Sequence, residues 1–126
     1  MAPDPAANGS RGSSTPIRTI SVVAPVRNEG ANVDHFVSDL AAQDFRGGLE
    51  VLVADGNSDD DSVERLRAAA WSAGLNLRVI ENPAGWVSPG LNACIRHARG
   101  DLIVRLDCHS RYPADYLRRC AELSEQ

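Results

Sequence analysis

The feature that most constrains this chain is its alternation of short apolar runs with stretches of helical period. Ile17–Ala24, Leu49–Ala54, Leu75–Ile80 and Leu102–Leu106 are apolar runs, and Leu49–Ala54, Leu102–Leu106 and the end of Ile17–Ala24 are apolar on largely consecutive positions rather than on every second one. A strand with one wet face alternates, because successive side chains point to opposite sides; near-continuous apolarity marks a strand covered on both faces. Between these runs, Val33, Phe36, Val37 and Leu40 fall at i, i+3, i+4 and i+7 behind Asn32, a helix-capping residue type. Val63, Leu66, Ala70 and Ala73 form a second such face, opened by Asp61 with Glu64 three positions on, as in a capping box. Leu91, Cys94, Ile95 and Ala98 form a third, with Ser88 as cap, Pro89 at the first helical position and Gly100 as the stop. Pro113 opens a last helix containing Tyr116, Leu117 and Cys120. Covered strands joined by helices predict a doubly wound α/β fold: a mostly parallel sheet with right-handed crossovers.

Composition narrows the function classes. A formal net charge of −4 and 13 basic residues, all Arg and all scattered, exclude a nucleic-acid binder, which needs clustered cations against phosphate. Three cysteines without a CxxC spacing give neither a disulfide framework nor a zinc ribbon. No apolar stretch approaches the roughly 18 residues of a membrane span, and the amino terminus lacks a signal pattern, so the expectation is a cytoplasmic chain. Residues 1–16 are rich in Ala, Pro, Gly and Ser and are expected to form a disordered tail before one domain over 17–126. No closing element precedes Gln126, which leads us to expect a truncated piece of something longer.

Three polar segments follow strand ends: Pro25-Val26-Arg27-Asn28-Glu29, Asp55-Gly56-Asn57-Ser58-Asp59, and Asp107-Cys108-His109. In a parallel sheet they converge on one edge, where α/β folds place ligands. No GxGxxG or GxxxxGK[ST] is present, so phosphate would have to be met by a metal, by Arg27 or by a helix amino terminus. Asp107 and His109, two positions apart at a strand end, would point the same way and Cys108 the other. As bare residues they could equally form a solvated turn. Trp71 and Trp86 read as packing groups, Trp86 within reach of a ligand, and His35 and His97 as ordinary helical residues.

Together these segments resemble the inverting family 2 glycosyltransferases of the GT-A fold, a Rossmann-like sandwich. Pro25–Glu29 is similar to the family's Pro-x-(Arg/Tyr)-Asn-Glu, Asp55–Asp59 to its Asp-Gly-Ser-x-Asp turn, and Asp107–His109 to its Asp-x-Asp motif. Asn82, Gly85, Gly90 and Asn92 resemble its middle segment, and Arg105 to Tyr116 looks most like the succinoglycan-biosynthesis branch. The resemblance implies nucleotide-binding roles for Pro25, Arg27, Glu29, Asp55, Asn57, Asn92 and Asp107, with Asp55 accepting from the uracil N–H. It implies a divalent cation, Mn²⁺ or Mg²⁺, at Asp107 and His109. It further implies transfer from a nucleotide-sugar donor, UDP-linked, to a hydroxyl on a glycan or lipid-linked acceptor in exopolysaccharide or cell-surface glycan synthesis. Membrane association would come only through segments absent here, at the inner membrane face.

Two departures matter. His109 stands where the family has a second carboxylate, and imidazole must be neutral to bind and suits Mn²⁺ better than Mg²⁺. The family's catalytic base is expected beyond Gln126, which leaves the catalytic residue unassigned. A rival reading is therefore a non-catalytic nucleotide-binding module, and a third is a Rossmann-like regulator, which the missing glycine fingerprint disfavours.

Overall fold

The computed structural model describes residues 15–126. Most of the tail expected over 1–16 thus lies outside the described residues, and Thr15 and Pro16 have no regular structure. The order is β1 (Thr19–Val26), α1 (Val33–Ala41), β2 (Gly48–Asp55), α2 (Ser62–Ala73), β3 (Leu77–Glu81), α3 (Val87–His97), β4 (Leu102–Arg105) and α4 (Tyr116–Ser124), with one 3-10 turn over Gly30–Asn32. All strand pairings are parallel, in the order β3-β2-β1-β4. This is the expected α/β sheet.

Two apolar layers account for the continuous apolarity of β1 and β2. Phe36 of α1, Leu66 of α2 and Leu117 of α4 pack on Ile20, Val22, Val51 and Val53. On the other face Cys94 of α3 meets Val23, Leu52 and Ala54. Both central strands are therefore covered on both sides. Because α1 and α2 lie on one face and α3 on the other, the chain reverses direction across the sheet between β1 and β4. Loops leaving those two strands part to opposite faces and open a crevice at their carboxyl ends.

Several boundaries differ from the sequence expectation. β1 continues through Pro25, whose missing N–H costs nothing there: the pairing with β4 runs only from Ile20 to Val23, and Pro25 lies beyond it. β3 begins at Leu77, since Asn76 turns its carbonyl to the Val51 N–H. Helix α3 begins at Val87, before Ser88, with Trp86 at the cap position and no side-chain cap. Pro89 is tolerated in that first turn because the N–H it lacks would have had no intrahelical partner. Neither Asn32 nor Asp61 caps its helix. Helix α4 starts at Tyr116, after a turn closed by its N–H on the Pro113 carbonyl. Trp71 is 89% exposed and Ile95 47%, so neither is the packing group expected. Trp71 follows the buried Ala70, and a 100° helical step carries it outward.

Gly100 has a different task from the expected helix stop, because α3 has already ended at His97. A Cβ at Gly100 would lie 2.6 Å from the Ser21 backbone nitrogen. The close approach lets the Gly100 N–H donate to Ser21 Oγ (2.8 Å), while Ser21 Oγ donates to Glu50 (2.6 Å) and the Arg99 N–H donates to the same carboxylate (2.7 Å). Burial pushes the Glu50 carboxyl up, but the Ser21 hydroxyl, the Arg99 N–H and two nearby guanidinium groups outweigh it and hold the group below its ordinary value of 4.5. A carboxylate lowered in the native state stabilises the fold fully above its unfolded value and loses that contribution as pH falls through the native one. Gly100→Ala should destabilise the protein by about 1–3 kcal/mol in urea denaturation, because the obstacle is backbone. The stability difference between the native chain and Glu50→Gln should be constant above about pH 5 and shrink on acidification below it.

Candidate functional site

A cleft of about 220 Å³ occupies the crevice at the switch point. Its walls come from all four strand ends: Pro25 at the end of β1 with Arg27 and Glu29 beyond it, Gly56 after β2, Asn82, Gly85 and Trp86 after β3, and Arg105, Asp107 and His109 from β4 and beyond. A second hollow of about 250 Å³ lies at the opposite edge beside Glu50 and Gly100, where strands begin. We place the site in the first, since ligands of open α/β sheets bind at carboxyl ends.

The β1 and β2 loops are held together by a reciprocal clasp. Successive N–H groups of Asn28, Glu29 and Gly30 donate to Ser58 Oγ (3.0 Å), Ser62 Oγ (2.8 Å) and Asp60 Oδ2 (3.1 Å). In return the Asn28 side-chain oxygen accepts from the N–H of Asp59 at 2.7 Å. Asn28 adopts a left-handed φ of 52°, a region in which Asn is tolerated better than most residues. Asp60 also accepts from the Ser62 hydroxyl, a bond that holds its carboxyl below the usual range. The acidic cluster before α2 is thus a tie between loops as well as a helix start.

Asp107 and His109 reach the cleft, though not by strand alternation. β4 ends at Arg105, and residues 107–110 form a turn closed by the Ser110 N–H on the Asp107 carbonyl (3.1 Å). The turn is pinned from three sides. The Asp107 N–H donates to the Tyr112 hydroxyl (2.9 Å), and His35 of α1 donates through Nε2 to the Cys108 carbonyl (3.2 Å). Asp39 grips Arg111 through both carboxylate oxygens (2.9 and 3.0 Å) and accepts from the Tyr112 N–H (3.0 Å). Cys108 points into the core as expected, among buried apolar side chains; burial and the Glu29 charge push its thiol up to about 12.

The residues expected to bind nucleotide, and His109 expected to bind metal, divide. Pro25, Arg27, Glu29, Asp107 and His109 line the cleft. Asp55 stands beside them, paired in register with Val26, but its side chain accepts from the Ser58 N–H (3.2 Å) and forms no part of the cleft wall. Asn57 is turned away, its amide donating to the Pro83 carbonyl (2.9 Å), and Asn92 is an exposed residue of α3 outside the wall. Asn82 and Gly90 serve packing. Asn82 is buried and donates to the Trp86 carbonyl (2.6 Å), and a Cβ at Gly90 would lie 2.7 Å from that amide.

Sequence reasoning missed Arg105, whose guanidinium pairs with Asp107 (3.2 Å) on the cleft wall. An arginine inside an apolar strand, two residues before Asp107, was the available signal. It also missed Asn28, His35 and Tyr112, which act through folding contacts that no local pattern encodes.

Asp107 and His109 offer one carboxylate and one imidazole to a divalent ion. Among the described residues no group of three or more His, Cys, Asp or Glu side chains gathers as a metal site. Two protein ligands alone would leave most coordination positions of such an ion to water or to a bound molecule.

A two-faced parallel sheet with a cleft at its reversal defines a doubly wound α/β protein whose ligand site lies at the switch point. The comparisons narrow that class. The glycosyl transferase family 2 profile matches residues 21–126, and the chain belongs to this family. It is 30% identical over 114 residues to the undecaprenyl-phosphate 4-deoxy-4-formamido-L-arabinose transferase of Klebsiella pneumoniae, covering 88% of this chain and 35% of that protein. It superposes on the mannosyltransferase PcManGT of Pyrobaculum calidifontis, a complex with GDP-Man and Mn²⁺, with a TM-score of 0.76 and 26% identity over 88% of this chain and 32% of that one. Staphylococcus aureus TarS in complex with UDP gives 0.75 at 24% identity, over 82% and 31% of the two chains. The fold is thus the GT-A arrangement, and the chain spans about a third of the length of the relatives it matches.

Asn28→Ala should lose about 1–2 kcal/mol in chemical denaturation, from the lost acceptor and from strain at positive φ. Asn28→Gly, free of that strain, should lose less than Asn28→Ala.

Proposed function

We propose that this chain binds the nucleotide diphosphate of a UDP-sugar, as the donor side of an inverting glycosyltransferase acting in bacterial exopolysaccharide or cell-surface glycan synthesis. The observation that carries the reading is the convergence of Arg27, Arg105, Asp107 and His109 on one cleft at the switch point of the sheet. The amino end of α3 meets the same cleft through Trp86 and Val87 without a side-chain cap, which leaves its first N–H groups to an anion. Arg27, Arg105 and this helix end would offset diphosphate charge, Pro25 and Glu29 would bound the nucleoside, and Trp86 would close its outer side. Asp55, beside the cleft, would join the proposed nucleotide set by turning its free oxygen to the uracil N–H, whereas Asn57 and Asn92, outside the wall, would reach a nucleotide only if their side chains turned toward it.

Asp107 and His109 would hold a divalent cation, which when bound supplies positive charge to the departing nucleoside diphosphate. Support for a cation comes from the Mn²⁺ in the PcManGT complex, and support for uridine from the TarS complex. GDP-Man in the former makes the base a matter for measurement. The undecaprenyl-phosphate relatives support a lipid-linked acceptor, hence work at the inner membrane face; among the described residues no helix is long and apolar enough to cross a membrane. The succinoglycan-like motif supports the exopolysaccharide branch. Because the relatives are about three times as long, nucleotide binding without transfer is the second reading for this chain.

Calorimetry separates these expectations. UDP should bind more tightly with Mn²⁺ than without, and more tightly than GDP. Arg27→Ala should weaken UDP binding about tenfold, a loss of about 1.4 kcal/mol. Asp107→Ala should abolish the Mn²⁺ enhancement, whereas His109→Asp should retain it and shift preference toward Mg²⁺. Unchanged metal-dependent binding in Asp107→Ala would remove the cation from this site. Sugar transfer to an acceptor, assayed with the same chain, decides between the two readings.

A further inference from the structure

Glu29 is oriented as though for another residue's benefit. One of its oxygens, Oε1, accepts from the Asn32 amide (2.8 Å), and its backbone N–H is committed to Ser62 Oγ (2.8 Å). The other oxygen, Oε2, faces Nδ1 of His109 at 3.3 Å, across a sequence separation of 80 residues. The Glu29 side chain is only 18% exposed, while that of His109 is 63% exposed on the cleft. An ionised carboxylate only accepts hydrogen bonds, so Nδ1 must carry the proton in this contact. In the neutral ring the lone pair then lies on Nε2, which among the described residues has no hydrogen-bond partner.

We infer that Glu29 is a positioning residue, which through Asn32–Glu29–His109 fixes the imidazole in its Nδ1–H tautomer and presents Nε2 to a divalent cation in the cleft. Histidine ligands elsewhere are commonly held this way, the far ring nitrogen donating to a carboxylate that sets tautomer and orientation. The inference rests on the proposed cation at Asp107 and His109, but the tautomer itself does not. It assigns Glu29 a task that a nucleoside-lining residue would not have. It also gives the substitution of imidazole for carboxylate at position 109 a physical complement, because a second carboxylate there would face Glu29 as a like charge.

The experiment uses the whole chain with ¹⁵N-labelled histidine. At a pH where His109 is neutral and with no metal added, its ring should show Nδ1 protonated and Nε2 unprotonated. Glu29→Ala should move it toward the Nε2–H form favoured by free imidazole. Glu29→Gln, which keeps an acceptor oxygen, should restore Nδ1–H. Electron paramagnetic resonance of Mn²⁺ titrated in the presence of UDP should then show about tenfold weaker binding in Glu29→Ala and partial recovery in Glu29→Gln. In a His109→Asp background, Glu29→Ala should no longer weaken Mn²⁺ binding, since the effect runs through the imidazole. An Nε2–H ring in the native chain, or an equal loss of Mn²⁺ affinity from Glu29→Ala in both backgrounds, overturns the inference. If the native chain shows the Nδ1–H ring yet binds no Mn²⁺ with UDP, the failure belongs to the proposed cation site. In that case the presentation of Nε2 to a cation falls with it, and only the tautomer assignment survives.

Discussion

The reversal of chain direction between β1 and β4 is the constraint from which the site follows. Two crossovers carry the chain outward on one face, through α1 and α2, and a third returns it over the other face through α3. Adjacent strands whose loops depart to opposite faces cannot close the space beyond their carboxyl ends, so a crevice forms without any residue being chosen for it. Charged side chains gather there because the crevice is the part of the sheet edge that stays wet. Elsewhere β1 and β2 are sealed by apolar layers, and an unpaired charge would be costly.

A crevice alone does not place side chains to within hydrogen-bonding tolerance, and the surrounding contacts supply that. Asn28, Ser58, Asp60 and Ser62 join the first two loops through backbone N–H groups that would otherwise need water. His35, Asp39 and Tyr112 fasten the turn that bears Asp107 and His109. Most of these bonds link residues thirty or more positions apart, and each is modest in energy. Their effect is to remove alternative loop conformations before a ligand arrives, which lowers the ordering cost of binding. The ion pair of Arg105 with Asp107 has a different character: both partners are partly exposed, so it is weak and either group can take another partner at little cost.

Much of the fold was legible from local pattern, because two-sided burial leaves a signature in every strand it covers. Leu49–Ala54 announces such a strand, whereas the equally apolar Leu102–Leu106 supplies an edge strand that leaves Ile103 40% exposed; the i, i+3, i+4 face of α1 is buried as read. Boundaries were less legible. Asn32 and Asp61 have capping chemistry, yet tertiary partners took over at both helix starts, with Asn32 bonded to Glu29 and Asp60 rather than Asp61 bonded to Ser62. Gly100 reads as a stop signal, whereas its lack of a Cβ is required by contact with Ser21 of a strand 79 residues away. The site divides in the same way: the polar segments were found at the right strand ends, but Asn57 and Asn92 proved to lie outside the cleft wall, and Arg105 was passed over.

The sequence by itself determined the layer architecture, the parallel sheet and the edge at which polar loops would meet, because burial period and turn chemistry are local properties of the chain. It also determined the family, through four short motifs in order. Only the tertiary structure decided which polar residues share the cleft and which nitrogen of His109 meets Glu29. Those depend on contacts such as Glu29 with His109 and Asn28 with Asp59, and hydrogen bonds across such separations exist only once the sheet has brought distant loops within a few ångströms.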